Sequence, residues 1–366
     1  MFFLATFQSV MTEIGYIIAA LMLLMVLVVI HELGHYTAGR MLGFKITEFA
    51  VGFGPTILKH VSKKTGIQYS LRPIPMGGYC AFYGEDEENE NNPEAFNNQA
   101  PWKRIIVLFA GVFNNFISAI VVIIIFFTCY GQFLPQVHST VEGSAAAQEG
   151  GLLAGDIIYE VNGKQVNFVV AEDFHNYLKD KGETVTFTVY RNNKLVDVKL
   201  TKSDYVELDK DGNQVLDDNG NPVIRHGFGY VSSLGQQKLT FGQAFCRAWS
   251  FIFYLVYQIL ASLVGLITGA IGLQNAGGPI TVIQTISSQI AGGFSSILYI
   301  LVILSANLAV MNLIPFPALD GSQILFTIIE WIRHKPLNKK VVNTINTVGL
   351  VTLFVLMIVL DIFHFL

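Results

Sequence analysis

The chain has 366 residues, 52% of them hydrophobic and only 14% charged, a balance too apolar for an ordinary soluble domain. Its formal net charge of −4, without a long basic run, argues against nucleic acid as a partner. Cys80, Cys129 and Cys246 form no C-x-x-C pair, which excludes a disulfide framework and a cysteine zinc site and leaves them as packing residues.

Taken in chain order, residues 14–30 are uncharged. Glu13 opens the run and no Lys or Arg precedes it, so the basic n-region of a cleavable signal is absent and the segment is expected to be retained. It ends in "VVIHELGHYTAGR", residues 28–40. Residues 36–103 read as a polar connection with strand-like pieces, "VGFGPTIL", "IQYSLRPI" and "MGGYC", and a solvated acidic loop, "GEDEENENNPE". A second uncharged run covers 105–137. Residues 131–238 read as a soluble domain: "TVTFTVYR" and "LVDVKLT" alternate as strands, and "AEDFHNYLKD" is a short helix. Inside it "DKDGNQVLDDNGNPV" repeats an Asp/Asn-Gly turn and reads as an inserted hairpin. A calcium loop at "DKDGN" lacks the full ligand spacing ending in Glu. Residues 248–319 contain no charged residue or histidine, and 341–360 are again uncharged, each run long enough to cross a bilayer.

These runs predict a polytopic α-helical membrane protein. Residues 1–130 form a membrane core, 131–238 the inserted domain, and 239–366 the remaining membrane segments. Arg333, Lys335, Lys339 and Lys340 before the last run mark a cytoplasmic connection. With about four transmembrane helices the N-terminus, the inserted domain and the C-terminus lie outside, and His31 and Asp320 both fall toward the inner side. A fifth span at 241–271 would separate them, so that segment is expected in the interface.

In "HELGH", His31 and His35 are four residues apart and share a helical face, where two neutral imidazoles can hold one Zn²⁺. Glu32 between them is the candidate general base toward the attacking water. This is the pattern of amide hydrolysis. A catalytic zinc takes three protein ligands. Glu48, 13 residues past His35, and Asp320 are the two candidates, and Asp320 is preferred. Apart from Glu330 it is the one acidic residue between 248 and 332, and it sits in "NLIPFPALDGSQ", where Pro315 and Pro317 interrupt a membrane helix. Such breaks are tolerated where they line protein or a water-filled cavity. The other six histidines have no partner at ligand spacing.

In combination and order, the HExxH, "AFNNQAPWKRIIVLFAGVFNNF", "GSAAAQEGGLLAGDIIYEVNG" and "NLAVMNLIPFPALDG" resemble the site-2 protease family of intramembrane zinc metalloproteases, in its bacterial PDZ-containing branch that includes the regulator of sigma-E protease. The resemblance implies zinc ligands at His31, His35 and Asp320, a catalytic Glu32, and a membrane re-entrant β-hairpin at Gly52 and Gly54 that pairs with unwound substrate. It also implies substrate handling at Asn115 and Asn312 and one extracytoplasmic PDZ domain, with Gly151, Leu152 and Leu153 as its peptide-binding turn and strand and Asp156 and Asn162 in the turns that follow. Val112 stands where the family usually has Pro, and Ser322 replaces the second Gly of its LDGG. The PDZ domain either binds an extended peptide or only excludes bulky substrates.

The expected activity is cleavage of single-span proteins in the bacterial cytoplasmic membrane after an upstream site-1 protease has acted. Anti-sigma factors and signal-peptide remnants are the substrate classes implied, with membrane lipid as surroundings. The alternatives are a catalytically silent membrane scaffold using its PDZ domain, for which keeping all four residues has no reason, and a transporter, for which HExxH has no role.

Overall fold

The computed structural model describes residues 2–365 apart from 86–91, 168–173, 175–176, 193, 208–212 and 218. Half of "AEDFHNYLKD", including His175, most of "DKDGN" and part of the acidic loop therefore lie outside the described residues. The chain divides into two units, 1–123 with 252–366, and 124–251.

In the first unit, α1 (Phe2–Met41) is longer than a bilayer core requires, since roughly 20 residues cross it. It leads into a four-stranded sheet made of β1 (Ile46–Phe53), β2 (Leu58–Val61), β3 (Gln68–Leu71) and β4 (Ile74–Phe82). The order is β2-β3-β1-β4, with β1 parallel to β3 and the other pairs antiparallel. Gly52 (φ 86°) and Gly54 (φ 99°) turn the chain at the end of β1. A side chain at Gly52 would press on the Arg72 carbonyl, 2.6 Å from a built Cβ, so glycine is required there. Phe44, Ile46, Phe49, Phe82 and Phe96 join Val107 and Leu108 of α2 (Pro101–Cys129) in one apolar core, which fixes the sheet against the helices.

The second unit is built on an antiparallel six-stranded sheet: β5 (Gln132–Thr140), β6 (Ile157–Val161), β7 (Lys164–Gln165), β8 (Thr184–Arg191), β9 (Lys194–Thr201) and β12 (Tyr230–Gln237). Its order is β12-β5-β6-β8-β9, with β7 on β6. Alternation in "TVTFTVYR" turns Val185, Phe187 and Val189 into the core, where Val137, Leu152, Ile158 and Phe228 meet them. The insertion forms a separate hairpin, β10 (Ser203–Val206) with β11 (Ile224–Gly227). Its tip is turned by Asp217, whose Oδ1 accepts the N–H groups of Asn219 and Asn221.

The start of α3 (Phe241–Thr268) belongs to this second unit. Arg247 on it is fully buried, donates to Gln132, to the Tyr159 carbonyl at 3.3 Å and to the Val166 carbonyl at 2.5 Å, and lies 4.1 Å from the Tyr159 ring centroid. A buried guanidinium is tolerated when its N–H groups are satisfied in this way.

His226 on β11 bridges Asp204 at 2.7 Å and Glu183 at 2.8 Å. Hydrogen bonds to Glu183 and then Asp204 raise its pKa. A raised folded-state value means that this contribution is complete below the ordinary histidine value of about 6.5 and is lost as pH rises through the shifted one. Amide exchange in residues 203–206 and 224–227 is therefore expected to speed up more between pH 6 and 9 in wild type than in His226→Gln, after correction for intrinsic rates. Because all three side chains are exposed, high salt should reduce the difference.

The first unit continues with α4 (Pro279–Ala291), α5 (Phe294–Leu313), α6 (Asp320–Arg333) and α7 (Lys339–Phe365). Asp361 of α7 accepts the N–H groups of Ile280 and Thr281 and so caps the start of α4. Among the described residues five helices, α1, α2, α3, α5 and α7, are long and apolar enough to cross a membrane. That is one more than the four expected, because α3 qualifies by length and composition.

Candidate metal centre

His31 and His35 stand one turn apart near the end of α1, and Asp320 is the first residue of α6. The interruption expected at Pro315 and Pro317 is the link between α5 and α6. Ala318 there takes a left-handed conformation (φ 77°) and donates its N–H to Asn346 of α7 at 3.3 Å. The turn brings α6 back so closely that a side chain at Gly321 would strike the Leu313 and Ile314 carbonyls. Ser322, where the family pattern has a second Gly, is buried and donates its hydroxyl to the Leu319 carbonyl at 2.7 Å. At its far end α6 is held to α2 by Arg104 and Glu330, 2.7 Å apart and both largely buried.

The result is a convergence of three donor atoms. His31 Nε2 lies 3.1 Å from His35 Nε2 and 3.0 Å from Asp320 Oδ2, and His35 Nε2 lies 3.4 Å from the same oxygen. A tetrahedral zinc with bonds of about 2.05 Å separates its ligand atoms by about 3.3 Å. Asp320 Oδ2 is buried and finds no hydrogen-bond donor, and both histidines are more than nine-tenths buried. Two imidazoles and a carboxylate around an unsatisfied acceptor suit zinc. The Nδ1–H of His35 donates to the Val107 carbonyl at 2.8 Å, which leaves Nε2 as the free lone pair.

Glu32 projects beside this cluster toward β4, where Gly78 lies against it: a Cβ built there would sit 3.7 Å from the Glu32 Cγ. Glu48, the other candidate for third ligand, is engaged elsewhere. Ser70, Arg72 (2.9 Å), Tyr79 (2.9 Å) and Gln68 (3.1 Å) all donate to its carboxylate. Burial works to raise its pKa, but these hydrogen bonds outweigh it and hold the carboxyl at about 2. Glu48 thus braces the sheet, and through Arg72, which also donates to the Gly54 carbonyl at 2.7 Å, the turn at Gly52 and Gly54.

The chain matches Peptidase family M50 over residues 19–356. It belongs to that family, the site-2 proteases. A Clostridium perfringens protein named "Putative zinc metalloprotease" is 32% identical over 352 residues, covering 95% of this chain and 97% of that one. Proteins of the same description from Clostridium acetobutylicum (31%, covering 94% and 96%) and Campylobacter jejuni (31%, covering 93% and 90%) match as fully. A solved PDZ domain of a Listeria innocua SdrC-like protein is 24% identical over 29% of this chain and 99% of its own, at a TM-score of 0.19, too low to bear on the fold. This M50 peptidase is a multi-pass membrane zinc metalloprotease.

The other expected site residues separate into three groups. Asn115 of α2 is fully buried with its amide nitrogen 3.3 Å from His31 Nδ1, whereas Asn312 near the end of α5 is half-buried. Gly52 and Gly54 close the end of β1. Gly151, Leu152 and Leu153 belong to no strand, and their N–H groups go to Gln148, Ala146 and the Asp156 carboxylate. Leu152 is buried in the core.

Gly111 of this M50 peptidase was not marked by its sequence. A Cβ there would lie 2.5 Å from His35 Nε2 and 2.8 Å from His31 Cε1. Its only local signal is the small pair Ala110–Gly111, and a side chain at Gly34 would strike the Ala110 carbonyl, so α1 and α2 meet through glycine. Gly111→Val is expected to cut zinc content below half of wild type with helical circular dichroism unchanged, as metal analysis of the purified protein would show.

Proposed function

We propose that this peptidase hydrolyses peptide bonds within or near the membrane segments of single-span proteins. The observation that carries the proposal is the donor cluster of His31, His35 and Asp320 on apolar helices, with Glu32 between it and β4. When bound, zinc polarises the scissile carbonyl and acidifies the attacking water. Glu32 takes that water's proton and delivers it to the leaving amine. His31 and His35 keep their Nε2 lone pairs turned to the cluster, and Asp320 supplies the negative charge.

A transmembrane helix hides its peptide bonds and must become extended before one can be cut. Among the described residues β4 pairs only with β1, which favours addition of the extended substrate to the other edge of β4. Gly52 and Gly54 shape this sheet, and Asn312 is a half-buried amide available to a substrate backbone. In the second unit β12 is likewise an edge strand, preceded by Phe228 and Gly229, the latter with φ 72°. If that domain binds peptide as a PDZ domain does, the peptide adds to β12. Its alternative is to bind none and exclude bulky substrates.

Asp320 follows the inner end of α5 and meets His31 near the inner end of α1, so the two helices run in the same direction. An odd number of crossings must separate them. α2 alone satisfies this; if α3 crossed, the return would fall to α4, whose 13 residues reach about 20 Å of the roughly 30 Å core. The proposed topology has four crossings in a bacterial cytoplasmic membrane, the 124–251 domain outside and Arg333 to Lys340 inside. Substrates are anti-sigma factors or signal-peptide remnants already shortened by a site-1 protease.

The test is reconstitution in liposomes with single-span peptides whose extracytoplasmic part is short or long. Cut sites mapped by mass spectrometry inside the membrane segment of the short peptides, and loss of cutting with a zinc chelator, are expected. Cuts confined to water-exposed loops would overturn the proposal.

A further inference from the structure

Asn115 is fully buried, and its two amide atoms have opposite fortunes. Its Nδ2 lies 3.3 Å from His31 Nδ1, while its Oδ1 is buried without a hydrogen-bond partner. The Nε2 atoms of both histidines converge on Asp320, so a metal held there takes the Nε2 lone pairs and the proton of each neutral ring resides on Nδ1. For His35 that proton has an acceptor, the Val107 carbonyl. For His31 the group opposite is Asn115, and an N–H facing an NH₂ group is two donors face to face. Rotating the amide by half a turn, which exchanges two atoms of nearly equal size, resolves it. The oxygen then accepts from His31 Nδ1–H.

The surroundings hold the amide at that place. The Asn115 backbone carbonyl accepts the hydroxyls of Ser118 and of Ser305 on α5, both at 2.8 Å, and the two hydroxyls are 2.6 Å apart. The neighbouring Asn114 donates to the Ile30 carbonyl at 2.9 Å, just before His31. Helices α1 and α5 thus both bond to α2 at residues 114 and 115.

We propose that Asn115 is a positioning residue for the metal: its carbonyl oxygen fixes the tautomer and orientation of His31, rather than handling substrate directly. The proposal rests on His31, His35 and Asp320 being the ligands. It is tested on the full-length protein in detergent, stripped of metal and titrated with zinc against a chelator of known affinity, with the electronic spectrum of the cobalt(II) form as a second readout.

Asn115→Ala should bind zinc about 10- to 100-fold more weakly and alter the cobalt bands. Asn115→Asp, which keeps an acceptor at the same place, should stay within about threefold of wild type. Zinc affinity in Asn115→Ala equal to wild type, or in Asn115→Asp as weak as in Asn115→Ala, overturns the proposal. Should Asn115→Ala not fold, the Asn115→Asp titration decides on the same threefold criterion. Asp320→Ala is the control: if it retains full zinc affinity, the ligand assignment itself has failed, and if it loses zinc while Asn115→Ala does not, only the role of Asn115 has.

Discussion

Glu32→Gln is expected to retain about one zinc per chain while losing roughly two to four orders of magnitude in proteolysis, the usual contribution of a positioned general base. The substitution exchanges one carboxylate oxygen for an amide nitrogen and leaves the side-chain shape almost unchanged. None of the converging donor atoms belongs to Glu32, so metal content should not move. What is lost is the capacity to accept a proton and return it to the amine. Expressed as a barrier, the loss is about 3 to 5 kcal/mol. Metal analysis and cleavage of a reconstituted single-span peptide check the two halves separately. A fall in zinc would mean that Glu32 contributes to the metal site, and unchanged cleavage would mean that another group is the base.

Asp320→Ala should do the opposite, removing zinc first and activity with it. It takes away the only carboxylate of the cluster and leaves two imidazoles one helical turn apart. Such a pair is an incomplete site, because catalytic zinc is ordinarily held by three protein ligands. Zinc content below about one-fifth of wild type and no detectable cleavage are the expected results. Asp320 is the first residue of α6 and its replacement by Ala removes no backbone hydrogen bond of that helix, so α6 should survive the change. Circular dichroism of the metal-free proteins should therefore coincide. Asp320→Ala with full zinc would direct attention to an unrecognised third ligand.

The parts of this site that are legible in the sequence are those whose geometry is local or whose chemistry is out of place. His31 and His35 share a face because four residues make one helical turn, and Asp320 stands out as an acid in a long apolar stretch. Glu48 cannot be set aside from spacing alone. What removes it is a long-range event, the approach of Ser70, Arg72 and Tyr79 from other strands. Gly111 is invisible for the same reason: a glycine in an apolar helix carries no sign that two histidines of another helix will lie against it. At Gly151 to Leu153, a glycine followed by two leucines says nothing about which backbone N–H groups remain free. Sheet order decides that, and it places β12 and β9 at the edges. Helix α3 shows the limit of hydropathy, since length and composition qualify it to cross and do not say whether it does.

Comparing the membrane proteomes of cells that carry wild type or Glu32→Gln tests the central claim most directly, because the cells themselves supply the substrate, whichever protein it is. Shortened single-span proteins and signal-peptide remnants are expected to accumulate with Glu32→Gln and to disappear with wild type. Identical membranes, with both proteins present and zinc-loaded, would contradict intramembrane proteolysis and turn attention to the 124–251 domain as a binding module.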